Sequence, residues 1–97
     1  MATSLLTTSD VNGDSPPQVF AGGDLTVYVH AIAEVGSEFV SIGYRPNGSS
    51  DPYKFEHIAR SDWAKGKHME LYGSTQIIAR LGGAVSGKSS ISVEFNA

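Results

Sequence analysis

The sequence contains no cysteine. A disulfide scaffold and a thiolate metal site are both excluded, so apolar packing and hydrogen bonds must hold the fold. Long hydrophobic runs are missing as well. No stretch approaches the roughly 20 apolar residues that a membrane-crossing helix needs, and no membrane association is expected. The opening Met1-Ala2-Thr3-Ser4-Leu5-Leu6 has neither the basic start nor the long apolar stretch of a secretory leader, so synthesis in the cytosol is expected. Charge is sparse: 7 Lys and Arg stand against 10 Asp and Glu, a net charge of -3. A nucleic-acid binder would carry a basic patch or stripe, so nucleic acid is not an expected partner. No segment sustains a helical hydrophobic period.

What is present suits one small β domain. Ninety-seven residues are enough for a single domain that buries somewhat more than about 60% of its unfolded surface. The charge is uneven along the chain. Residues 1–49 hold five acids against Arg45 alone, while residues 50–97 hold six Lys and Arg against five acids. Such a division is compatible with self-association, although mixed surfaces are common.

Residues 1–18 are rich in Ser, Thr, Asp, Asn and Pro, and their sizeable apolar residues are Met1, Leu5, Leu6 and Val11. So little apolar surface does not offset the entropy of ordering in isolation. A flexible, extended N-terminal arm is expected over 1–18, stiffened at Pro16-Pro17. An arm that becomes ordered on a neighbouring subunit, with Leu5 and Leu6 as anchors, is the sharper form of that expectation.

The domain proper is expected over 19–97. Val19 to Ala21 reads as a short strand. Asp24 to Ala33 alternates, with Leu25, Val27, Val29 and Ala31 facing a core and Thr26, Tyr28, His30 and Ile32 facing outward. Glu38 to Arg45 alternates again, with Val40, Ile42 and Tyr44 on one face. Gly43 inside that strand points to a bulge or a close neighbour. Pro46-Asn47-Gly48 is turn chemistry, because Pro presets its φ and Asn-Gly accepts positive φ. Tyr53 to Ile58 and Lys67 to Tyr72 are further strands, the latter with Met69 and Leu71 inward and His68 and Glu70 outward. Between them, Arg60 to Ala64 suits a short helical turn capped by Ser61 or Asp62. Seven or eight short strands with regular turn signals give an all-β, antiparallel sandwich or jelly-roll-like small domain.

The last two strands carry the one literal motif. Gly82-x-x-x-x-Gly87-Lys88-Ser89 matches the phosphate-binding P-loop pattern. A working P-loop follows a strand and opens a helix whose amides cradle the phosphates. Here Ser90 to Phe95 alternates with period two, so the expected arrangement is a hairpin-like strand pair around a mobile Gly/Ser loop. No cofactor is expected. His30, His57 and His68 include no His-x-x-x-His pair to seed a zinc site, so no metal is expected either. No nucleophile elbow appears, and no catalytic residue is assigned. The aromatic residues Tyr28, Tyr44, Tyr53, Trp63 and Tyr72 suit core and subunit contacts, or a sugar-stacking face. Trp63, in the charged connection Arg-Ser-Asp-Trp-Ala-Lys-Gly-Lys, is either a lid on one end of the domain or an exposed interface anchor.

The order of these pieces resembles that of small virion proteins of tailed bacteriophages. The resemblance rests on Phe20-Ala21-Gly22-Gly23, the strand Leu25 to Val29, the turn Arg45-Pro46-Asn47-Gly48, the apolar strand Ile77 to Leu81, and Gly83 to Phe95 with its terminal Ile91-Ser92-Val93-Glu94-Phe95. It spans roughly residues 20–95 and departs from the usual pattern where Ser49-Ser50-Asp51-Pro52 lengthens the turn. It implies a non-enzymatic head decoration or cement protein on the capsid surface of the virion. Its partners would be the major capsid protein and its own copies, as a trimer. Leu5, Leu6, Val11, Pro16, Pro17 and Trp63 would be the capsid or subunit contacts. The alternatives are a carbohydrate- or receptor-binding module of a phage tail or fibre, and a tail or neck structural protein.

Overall fold

The computed structural model describes residues 2–97. Nine strands and one 3-10 turn follow in chain order: β1 (Ala2–Ser9), β2 (Gly13–Asp14), β3 (Gln18–Phe20), β4 (Gly23–Ala33), β5 (Phe39–Pro46), β6 (Lys54–Ile58), the turn η1 (Arg60–Asp62), β7 (Lys67–Leu71), β8 (Thr75–Gly82) and β9 (Ser90–Asn96). The all-β, antiparallel expectation holds. One sheet has the order β1-β9-β4-β7; the other runs β2-β8-β5-β6, with β3 also paired to β8. Both sheets contribute to one core, in which Val27, Val40, Ile42, Ile58, Ile77, Ile91 and Val93 are fully buried. Each such side chain contributes about 1.5–3 kcal/mol relative to leaving it in water.

The alternation read from β4 positions Leu25, Val27 and Val29 in the core, but Ala31 is exposed, because β4 runs past the core at its C-terminal end. In β7, Met69 and Leu71 face inward as expected. The turn after β5 forms at its expected place: Ser49 N–H donates to the Pro46 carbonyl at 3.1 Å, and Gly48 takes a φ of 87°. Gly43 has close neighbours and no bulge. A Cβ there would lie 2.6 Å from the Phe55 ring and 2.8 Å from Ile78 Cγ1. Both are its cross-strand partners, so the ring lies over the glycine that flanks it.

Two expectations about connectivity need correction. First, β8 and β9 are not a hairpin-like pair but belong to different sheets. The connection crosses one end of the core, since β8 has already paired with β2, β3 and β5, and β9 is held between β1 and β4. Second, the segment expected as a flexible arm is built into both sheets. β1 pairs with β9, and Leu5 is 5% exposed with Leu6 packed beside the core, because β9 and the core offer these apolar anchors a slot that the isolated segment lacks. Beyond it, Ser15 continues the β8 pairing: its N–H donates to the Ala79 carbonyl and its Oγ accepts from Ala79 N–H, both at 2.8 Å. Pro16 and Pro17 then interrupt that edge between β2 and β3, as residues without an N–H do.

Candidate functional site

The antiparallel order gathers the connections at two ends. One end carries residues 10–12, 34–38, 59–66 and 83–89, and the other carries 21–22, 47–53 and 72–74.

The first end is tied together by side chains. Glu38, whose side chain is fully buried, accepts hydrogen bonds from Val35 N–H at 2.8 Å, Gly36 N–H at 2.9 Å and Ser89 Oγ–H at 2.5 Å. The Ser89 hydrogen bond, opposed by burial and helped by the backbone amides, holds the Glu38 carboxyl down at about 2. Arg60 joins η1 to the same end, donating to the Glu38 carbonyl at 2.7 Å and pairing with Glu34 at 2.8 Å. Ser37 Oγ donates to the Gly83 carbonyl at 2.6 Å. Asn12 both accepts from and donates to Ala84, at 2.8 and 3.2 Å. Asp10 accepts from Gly87 N–H at 2.7 Å.

This network decides the P-loop question. The Gly87 amide, which would cradle a phosphate, and the Ser89 hydroxyl, which would ligate its magnesium ion, already serve the carboxylates of Asp10 and Glu38. A phosphate would meet two negative charges there, and the residues that follow form β9. Ser89 is instead a structural donor: its Oγ also accepts from Val85 N–H at 2.9 Å.

Around this tied frame stand the exposed apolar residues Val11 (70% exposed), Ile32 (71%), Val35, Phe39 and Val85. Val11, Val35 and Val85 lie in the connections that meet at this end, and Ile32 and Phe39 on the adjoining ends of β4 and β5. The opposite end offers a cleft of about 470 Å³, lined among others by Tyr44, Arg45, Lys54, Glu70, Leu71 and Tyr72. Tyr72 is 87% exposed.

The residues singled out from sequence scatter. Leu5 is buried and Leu6 packs against the core from its partly buried position. Val11 stands exposed at the tied end, while Pro16 and Pro17 lie exposed on the β2–β3 edge. Trp63 is 5% exposed and belongs to the core. Its Nε1–H donates to the Ile58 carbonyl at 3.2 Å, its own carbonyl accepts from Val29 N–H at 3.0 Å, and the Arg60 guanidinium lies 4.2 Å from the ring centroid. Of the two readings of Trp63, the structure takes the lid over the exposed anchor. The turn before it uses Ala59 as its N-cap with no side-chain cap bond, in place of the expected Ser61 or Asp62.

Sequence reasoning gave no functional role to Glu38, Ile32, Val35 or Phe39. The signal for Glu38 was a carboxylate two residues after Gly36, within reach of the turn amides. Alternation had already turned Ile32 outward, but nothing local marked it, Val35 and Phe39 as neighbours of one loop end. Among the described residues, no group of three His, Asp or Glu side chains is placed to hold a metal ion. No helix among these residues is long and apolar enough to cross a membrane. No family model, curated protein or solved structure matches the chain.

Proposed function

We propose that the protein is a non-enzymatic structural component of a tailed-phage virion that works by attaching to the head shell and to its own copies. The observation that supports this reading is the tied end of the domain. Val11, Ile32, Val35, Phe39 and Val85 are exposed on a frame whose loops are cross-linked by Glu38, Ser37, Asn12 and Arg60. Exposed apolar side chains on preorganised loops suit a protein contact, since little further ordering is needed when the partner arrives. Repeated copies on a shell would add weak contacts through multivalency. The major capsid protein and a homotrimer are the partners of this proposal.

Co-sedimentation of the purified protein with heads of the phage that encodes it tests the reading. Saturable binding, lost in the Ile32→Asp/Val35→Asp variant, is expected. A protein that stays in the supernatant and is absent from purified virions would overturn it.

A second reading, a saccharide-binding tail or fibre module, is favoured by Tyr72, exposed beside the cleft that Tyr44, Arg45 and Lys54 also line. A tyrosine ring offers an apolar face for a sugar and a polar tip. Trp63 has no part in it, because its ring is inside. Tyr72→Ala against a glycan array separates the two readings: loss of a specific glycan signal would favour this one.

A further inference from the structure

We propose that β1 is an exchangeable strand: residues 2–7 of one copy pair with β9 of a second copy, in the register they hold here on their own β9, with Thr8 as the hinge. The proposal stands on the geometry of this chain and does not depend on the virion reading.

Three features meet in this strand. β1 is the end strand of its sheet, hydrogen-bonded only to β9 among the described strands. Its pairing is irregular. Ser4 faces Glu94, Leu6 faces Val93 and Ser9 faces Ile91, so two extra residues are accommodated within eight. Bulged edge pairing opens more readily than a regular central ladder. Yet β1 cannot simply leave. Leu5 is 5% exposed and belongs to the core, and Leu6 packs against it. A vacated slot would expose that core, and the segment that fits it best is the same segment from another copy. Exchange of identical elements keeps the contacts and changes only which chain supplies them.

The hinge is marked by backbone conformation. Thr8 has a φ of 32°, the only positive φ at a non-glycine among the described residues. A β-branched residue is strongly disfavoured there. That bend takes up the second extra residue, between the Leu6–Val93 and Ser9–Ile91 pairs, and so keeps residues 2–7 in register on their own β9. An extended Thr8 relieves it and projects the strand away from its own domain. The chain just beyond is anchored, with Asp10 held at Gly87 and Asn12 at Ala84. The release point is therefore confined to residues 8–9.

The lack of native cysteine makes the test direct. Ser4 and Glu94 are Cα partners across β1 and β9. Full-length Ser4→Cys and Glu94→Cys chains, carrying different tags, are mixed reduced at high concentration, oxidised and resolved without reductant. The expected result is a Ser4→Cys–Glu94→Cys heterodisulfide well in excess of both homodisulfides. A yield no greater than the random homodisulfides would overturn the proposal. Adding Thr8→Gly, which accepts the bend, should lower the heterodisulfide several-fold. Adding Thr8→Pro, whose ring forbids a positive φ, should raise it. Yields unmoved by Thr8→Gly would remove Thr8 as the hinge even if the proline variant fails to fold.

Discussion

The Glu38 carboxylate and the Ser89 hydroxyl, 51 residues apart in sequence, meet at 2.5 Å in the buried part of one loop end. One comes from the turn before β5 and the other from the connection before β9, so this contact joins segments that lead into different sheets. It also commits the serine of the P-loop pattern, a would-be magnesium ligand, to a carboxylate of this chain.

That contact should make stability pH-dependent in a defined window. The Glu38 carboxyl lies at about 2 in the folded chain against an ordinary 4.5. Its folded value is depressed, so its contribution is fully present above about pH 4.5 and is lost as pH falls towards 2. Urea midpoints of wild type and Glu38→Gln, taken between pH 7 and pH 2.5, check this. Glu38→Gln should start lower at pH 7 and fall less on acidification. Parallel curves would show that the contact carries no linkage.

Trp63→Ala should cost about 3–5 kcal/mol, the usual range for emptying a buried large aromatic site. Trp63→Phe should cost less, although it leaves the Ile58 carbonyl without the indole donor. Denaturant unfolding distinguishes this from a surface position, where the change would stay within about 0.5 kcal/mol.

Gly43→Ala should destabilise by about 1–3 kcal/mol through overpacking, because the new methyl meets the Phe55 ring and Ile78. Phe55→Ala in the same chain should recover part of that loss. A double-mutant cycle with no coupling between the two positions would contradict the close approach.

Ile32→Asp/Val35→Asp should leave the unfolding midpoint near that of wild type, since both residues are exposed. The same substitutions should reduce the solution mass measured by light scattering if the tied end mediates self-association. An oligomer of unchanged mass would move the contact elsewhere, to the β1 edge or the Tyr72 end.

The β elements were largely legible in the chain because period-two alternation is a local property. Leu25, Val27 and Val29 needed only their own neighbours to declare an inward face, and Pro46-Asn47-Gly48 declared its turn by the dihedral limits of its residues. The chance P-loop could be set aside for the same reason, since Ser90 to Phe95 already alternates as a strand. Which strands pair is not local. Nothing in residues 76–95 says that β8 and β9 enter different sheets; that depends on β4 and β5 competing for their edges. Leu5 and Leu6 looked like the anchors of a flexible arm because the slot that receives them is made by the core and by residues 90–96. Trp63 sat in a charged connection, and only the ties from it to Ile58 at the end of β6 and to Val29 in β4 fix its ring inside the core. Local alternation and turn chemistry declared the strands from β4 onward, most of their faces and the turn after β5, whereas the strands β1 and β2, sheet membership, the buried Glu38–Ser89 contact and the burial of Leu5 and Trp63 came from tertiary structure, because long-range pairing creates environments that no short window of residues contains.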